Sequence, residues 1–283
     1  MKARKRALPG GWYPVSAAEC VHDISGFLQG FTPPSGSWLG GVAPHAGWYF
    51  SGKAAARVMA TLAGTAQPDR VVLYGGHLPA GGDPVIYTEE AWETPIGPVS
   101  IDQALSEDLV SRGEALRAGP RFTDNTVEVL LPFVKHFFPR APIIAVHAPS
   151  SNRAVRLGGA VDSLMQEKGL TAVYIGSADL THYGPNYGFA PMGSGPEAVK
   201  WVKEDNDRSL IERALAMDAQ GLLDDAGFRH NTCSAGPIAS VVTSVSRRGA
   251  KHGRLIEYYT SYDIMPNSSF VGYAGIVFGY DAL

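Results

Sequence analysis

A chain of 283 residues, 45% hydrophobic and 18% charged, is long enough to bury one large core and too apolar to stay disordered. Its formal net charge of -3 leaves no electrostatic footprint for nucleic acid. No apolar run approaches the roughly 20 residues that cross a bilayer, and two widely separated cysteines, Cys20 and Cys233, make no disulfide framework. Leu8-Pro9-Gly10-Gly11 breaks any apolar stretch of a signal peptide, so the expected setting is the reducing cytoplasm, with neither membrane nor nucleic acid as a partner. Lys2, Arg4, Lys5 and Arg6 read as a solvated terminus, and Cys20 as a small buried hydrophobe.

Residues 38–44 read as a short strand that stops at Pro44, and Ser51-Gly52 as the opening of an Ala-rich helix, Lys53 to Leu62, that Gly64 ends. Arg70 to Tyr74 is a buried strand punctuated by Gly75-Gly76. A Gly/Pro-rich stretch from Leu78 to Pro98 carries a candidate hairpin at 85–87. Helices follow over 102–112, with Asp102 as cap, and over 126–138, interrupted or started near Pro132. Residues 141–147 and 170–176 are buried strands on either side of a helix over 152–168 ended by Gly169. The pattern then gives a long charged, solvent-facing helix over 196–218 and an apolar helix over 236–248. Two alternating, aromatic-rich strands over 255–262 and 271–278 complete it. Strands alternating with helices predict a single α/β domain over 1–283: a central, mostly parallel or mixed sheet with helices on both faces and antiparallel edges at its end.

Chemistry is expected where polar residues follow strands, since open α/β sheets build sites at strand carboxyl ends. His45 lies between a strand and a helix, and His77 repeats that placement after Gly75-Gly76. Cys233 precedes a helix, where the thiolate form is favoured. On local grounds each has a plain alternative: a turn-capping histidine for His45 and His77, a buried cysteine for Cys233. Asp179 and His182 stand three apart, a spacing that puts them on one side of a helical turn, with Asp179 orienting His182 as a general acid/base. His147 ends a strand and is a further candidate. His22, His136, His230 and His252 read as surface or structural histidines, and Asn125 and Glu128 as helix-capping groups. Trp48, Tyr49, Trp92 and Tyr183 divide between core packing and the lining of an aromatic pocket. Phosphate-cradling and dinucleotide-binding glycine motifs, HExxH and paired CxxC are all missing.

The segments Ala43-Pro44-His45-Ala46-Gly47-Trp48-Tyr49-Phe50-Ser51-Gly52, Gly76-His77, Ser177-Ala178-Asp179-Leu180-Thr181-His182-Tyr183 and Cys233 with Gly236-Pro237-Ile238 together resemble the Memo family. Gly10-Gly11-Trp12-Tyr13-Pro14 and Val127 to Phe133 extend the resemblance along nearly the whole chain. It implies a fold similar to class III extradiol dioxygenases of the LigB type. It also implies a metal centre of His45, His77 and Cys233, with His182 as acid/base and Asp179 beside it. The implied activity is that of a non-haem iron oxidoreductase taking Fe(II), a small aromatic diol and O2, with a radical-SAM protein as a pathway partner. A thiolate in place of the dioxygenases' carboxylate turns the expectation towards Cu or Zn as well. Asn125-Thr126 departs from the family's usual His-Ser and alters one polar group of the pocket. The competing expectations are a signalling module that binds phosphotyrosine peptides through a vestigial pocket, and a zinc- or thiol-dependent hydrolase.

Overall fold

The computed structural model describes residues 3–65, 67–119 and 122–280. The strands are β1 (Ala3–Arg4), β2 (Ser37–Ala43), β3 (Arg70–Gly75), β4 (Val85–Ile86), β5 (Ala91–Trp92) and β6 (Val99–Ser100), followed by β7 (Leu116–Arg117), β8 (Ile143–His147), β9 (Ala172–Ser177), β10 (His182–Tyr183), β11 (His252–Thr260) and β12 (Phe270–Tyr280). A nine-stranded sheet runs β10-β12-β2-β9-β3-β8-β4-β7, with β11 also paired antiparallel to β12; β1, β5 and β6 form a small sheet apart. The centre, β2-β9-β3-β8, is parallel, and β12 joins it antiparallel. The mixed α/β sheet with helices on both faces is thus present.

The period-2 alternation of the strands divides the core. Val72, Tyr74, Ile144, Val146 and Tyr174 point towards the helices Asn152–Glu167 and Ala235–Arg247. Val71, Leu73, Ile143, Ala145 and Ile175 point the other way, towards Trp48–Ala63 and Leu131–Phe137. Each buried Val, Leu or Ile contributes about 1.5–3 kcal/mol, which is why the strands read as unbroken apolar runs. Among the described residues no helix is long and apolar enough to cross a membrane.

Four expectations need correction. The Ala-rich helix begins at Trp48, not after Ser51-Gly52, because the Gly47 carbonyl accepts from the N–H groups of Phe50 and Ser51 and starts the ladder. Gly52 then lies inside it, where a Cβ would meet Phe27 at 2.6 Å. Val85–Ile86 is no hairpin: it pairs antiparallel with β8 and parallel with β7. The long helix over 196–218 is Pro196–Trp201, a π-helical turn Val202–Asn206 and Asp207–Leu215, with a separate helix Ala219–Arg229 after it. It is not simply solvent-facing, since Asn206 and Asp207 are wholly buried. Finally, Asp179 to His182 is extended rather than a helical turn, and His182 begins β10 against β12.

A candidate metal centre at the carboxyl ends of the central strands

His45 lies two residues past the end of β2 and His77 two past the end of β3. Strand β9 runs between those two, and its last residue, Ser177, sits between the histidines. Cys233 arrives from the opposite layer, two residues before the helix that starts at Ala235. Glycine makes both approaches possible. Gly76, at φ +129°, turns the chain towards the site where a Cβ would press on Ala148 and His147 at 3.3 Å. At Gly176 a Cβ would lie 2.8 Å from the Pro237 carbonyl, so only glycine lets the first turn of that helix settle on β9.

The ligand atoms of His45, His77 and Cys233 lie within 4.8 Å of one another, and Cys233 Sγ is 3.3 Å from His45 Nε2. The protons of both imidazoles are assigned by their neighbours. Ser177 Oγ donates to the Thr126 carbonyl at 2.6 Å, so towards His45 Nδ1, 3.0 Å away, it can only accept. His77 Nδ1 faces the Asp124 carboxylate at 3.0 Å. In both rings the proton of the neutral form therefore sits on Nδ1, and the Nε2 lone pair of His45 faces the thiol. Holding the distal nitrogen in this way is how proteins prepare imidazole as a metal ligand. The backbone N–H of His45 donates to Asp179 Oδ1 at 2.7 Å. Asp179 Oδ2 is 3.9 Å from both His45 Nε2 and His182 Nε2. His182 Nε2 is buried and has no hydrogen-bond partner.

The charges follow from this crowding. Burial lowers the affinity of His45 for a proton, but Asp179 and Cys233 outweigh it and raise its pKa to about 9. For His77 burial again acts downwards, and the Asp124 hydrogen bond and Cys233 bring the pKa up to about 10. Burial alone would raise the Cys233 pKa; the facing histidines 45, 182 and 77 carry it well below the usual thiol value. Burial is also the chief reason that the Asp179 pKa is raised. The His182 pKa is raised too, against its burial, mainly by Cys233. The cluster thus favours the thiolate form of Cys233 and the protonated forms of His45 and His77 over what either type of group shows alone. Two imidazole nitrogens and one thiolate, converging with their other atoms tied back, fit a first-row transition metal, with softness suited to Fe(II), Cu or Zn.

A cavity of about 420 Å³ opens beside His45, His77, Asp179 and His182, with the rings of Trp12, Phe50, Tyr187 and Tyr273 along its walls. The aromatics that the sequence left between core and pocket stand outside this cavity. Trp48 stacks on Phe133 at 4.0 Å, Trp92 packs on Tyr87, and Tyr183 stacks on Phe270, all in the core. Tyr49 is 66% exposed and borders a separate groove with Trp48 and Tyr13. His147 is buried outside the cluster, its Nε2 3.1 Å from the Tyr87 hydroxyl, and burial lowers its pKa to about 4.

The sequence reasoning missed Asp124 and Ser177 as partners of the histidines, and it gave Asn125 and Glu128 a capping role in place of the contacts they make. Asp124, not Asn125 or Glu128, caps the helix Asn125–Glu128, taking the Thr126 N–H on one oxygen while the other faces His77. Asn125 donates to the His45 carbonyl at 3.1 Å. The buried Glu128 carboxylate accepts from the N–H groups of Ala7 and Leu8 and from the Tyr13 hydroxyl, and so anchors the segment that carries Trp12. Ser177 stood in view as a strand-end serine, and an Asp just before a predicted helix start was the one available signal for Asp124.

The profile of the family described as Memo-like protein matches residues 4–277. A MEMO1 family protein of Methanosarcina acetivorans is 31% identical over 98% of this chain and 99% of its own length. One of Methanopyrus kandleri is 34% identical over 97% of this chain and 98% of its own. Among solved structures, an uncharacterized protein of Escherichia coli K12 superposes with a TM-score of 0.48 at 13% identity, covering 78% of this chain and 91% of that one. The chain belongs to the Memo family.

Proposed function

We propose that the chain is a metal-dependent oxidoreductase of the dioxygenase-like kind, taking Fe(II) at His45, His77 and Cys233 and acting on a small aromatic diol with O2. The observation that carries the reading is the pair of Nδ1 restraints, Ser177 on His45 and Asp124 on His77, which leave two nitrogens and a thiolate converging beside an open aromatic cavity. Three ligands leave positions free, as in two-His-one-carboxylate sites. Bound Fe(II) would supply Lewis acidity towards the diol and one-electron chemistry towards O2. The chain's own residues supply the rest. The rings of Trp12, Phe50, Tyr187 and Tyr273 bind an aromatic face and exclude water. His182, with Nε2 unpartnered and Asp179 near it, accepts a proton from a diol hydroxyl and returns it later in the reaction.

The test is oxygen uptake by the Fe(II)-loaded protein over a panel of catechols, with His45→Ala and Cys233→Ala alongside. Uptake that needs both side chains supports the reading. Full metal content and full uptake in His45→Ala would sink it.

One observation favours a second reading, a thiol-dependent hydrolase: the 3.3 Å contact of Cys233 Sγ with His45 Nε2. Ester turnover by metal-free protein in the absence of oxygen, lost in Cys233→Ala, would select it. Silence in that assay leaves the oxidoreductase.

A further inference from the structure

Asp179 and His182 stand three apart in an extended segment, and both border the aromatic cavity. A regular strand sends residues three apart to opposite faces. The hydrogen bonds of the segment explain the departure. His182 stands opposite Val271, so the same register carried back one residue sets Thr181 opposite Gly272, each donating its N–H to the other's carbonyl. Half of that exchange is present, since the Gly272 N–H donates to the Thr181 carbonyl at 3.0 Å. The Gly272 carbonyl, however, accepts from the Leu180 N–H, at 2.8 Å. Leu180 and Thr181 thus both face one residue of β12, which is a β-bulge, and the Thr181 N–H is turned out of the ladder. Such a bulge breaks the two-residue alternation and re-aims the side chains around it. Asp179 and His182 come to share a side in this way.

The N–H that the bulge turns out is taken by Asp207. This residue is wholly buried. Its Oδ1 accepts from the Thr181 N–H at 3.0 Å and from the Thr181 hydroxyl, and its Oδ2 accepts from the Tyr258 hydroxyl at 2.8 Å. Its neighbour Asn206 donates from Nδ2 to Thr181 Oγ at 2.9 Å. Successive residues of an α-helix point about 100° apart. These two meet the same threonine where the π-helical turn Val202–Asn206 passes into the helix Asp207–Leu215. Turns of that kind recur at functional sites. Strand β12 leaves room for the carboxylate, because a Cβ at Gly272 would lie 2.0 Å from Asp207 Oδ2. Burial pushes the Asp207 pKa up to about 7, against the pull of the Thr181 and Tyr258 bonds. With a proton on Oδ2 or without one, Oδ1 still accepts from Thr181.

We propose that Asp207 is a positioning residue for the metal cluster: by taking the N–H of the bulge, it holds Asp179 and His182 together on the face where the ligands converge. Asp207 does not border the cavity and acts through Thr181. The inference deepens the oxidoreductase reading and rests on it only for what His182 does there, not for where His182 stands.

The experiment measures oxygen uptake by Fe(II)-loaded protein with catechol as the probe, and hydrogen–deuterium exchange of the same proteins without catechol. Asp207→Ala is expected to lower kcat at least about tenfold, part of the roughly 10²–10⁴-fold that a placed acid/base group contributes. KM and iron content should stay at the parent values. Exchange should quicken in peptides spanning 179–183 and stay unchanged in those of β3. Asp207→Asn keeps Oδ1 for Thr181 and offers an N–H to the Tyr258 oxygen, so it should recover most of the lost kcat and of the protection. Gly272→Ala displaces the carboxylate from the other side, and should act as Asp207→Ala does; it carries the test if Asp207→Ala fails to fold. Parent kcat and parent exchange in Asp207→Ala would overturn the proposal. So would a loss of iron and a rise in KM alongside kcat, which marks a general structural role, or an Asp207→Asn protein as damaged as Asp207→Ala. Should the parent take up no oxygen with catechol, the diol reading fails and exchange alone decides. Faster exchange over 179–183 in Asp207→Ala and Gly272→Ala, restored in Asp207→Asn, then upholds the positioning role, and unaltered exchange sinks it.

Discussion

His45 and His147 are both buried histidines at the carboxyl ends of central strands, and they behave in opposite ways. His45 is drawn up to about 9 and His147 is pushed down to about 4. Burial is nearly the same, at 2% and 0% exposed, so burial does not decide the matter. What differs is the company. His45 faces a thiol and a carboxylate and has its Nδ1 tied to Ser177. His147 faces the Tyr87 hydroxyl and the edge of Phe122, with its Nδ1 unpartnered. A histidine at a strand end is drawn towards its charged or its neutral form according to the anions within about 4 Å, and those come from distant parts of the chain.

The strongest way to break this contrast is to remove the His45 ring. His45→Ala is expected to lower metal affinity by roughly 3–4 kcal/mol, about a third of the apparent binding energy of a thiolate–imidazole site, whereas His147→Gln should leave it within a factor of about ten. Competition with a metallochromic chelator measures both, and equal losses in the two variants would erase the distinction drawn above.

The second prediction concerns acid. His147 has a folded value of about 4 against an ordinary 6.5, so the fold favours its neutral form. Its contribution is fully present above about pH 6.5 and is lost as the pH falls towards 4, a window worth up to about 3 kcal/mol at 1.36 kcal/mol per pKa unit. Urea midpoints for the parent and His147→Gln should therefore converge across pH 6.5 to 4. Curves that stay parallel would show that His147 does not titrate as described.

The third prediction sharpens the role of the Nδ1 partner. Asp124→Asn is expected to weaken metal binding 10–100-fold with little change in melting temperature, because an amide cannot polarise His77 as a carboxylate does. The smallest effect is expected for Ser177→Ala, about tenfold, since a neutral hydroxyl holds His45. A larger loss at Ser177 than at Asp124 would reverse the order and locate the tighter ligand at His45.

Much of this architecture was legible in the sequence because it rests on local rules. The strands at 70–75, 143–147 and 172–177 are β-branched apolar runs, and such runs have few other places to go. His45, His77, Asp179 and His182 were found by position after strands, Cys233 by position before a helix, and all five by family resemblance; the structure brings them together. What stayed hidden depends on distance along the chain. Nothing local joins Asp124 to His77, 47 residues away, or Glu128 to Ala7, 121 away. The helix at 196–218 misled because its charge pattern masks Asp207, buried to hold the Thr181 N–H and the Tyr258 hydroxyl. The aromatic lining stayed open because a tryptophan in a core and one in a cavity look alike in sequence; Trp48 belongs to the first and Trp12 to the second.

Strand β12 pairs with β2, β10 and β11 at once. During synthesis, the central strands can therefore gather while β2 still shows a bare edge and His182 has no strand to lie against. The pairing of His182 with Val271 joins positions 89 residues apart in the sequence (271 − 182). The cluster is thus completed late, after residues 270–280 have left the ribosome, and a nascent chain that presents His45 and His77 early cannot yet hold His182 in place. Late closure of this kind delays the placing of His182 until the sheet around it is sealed.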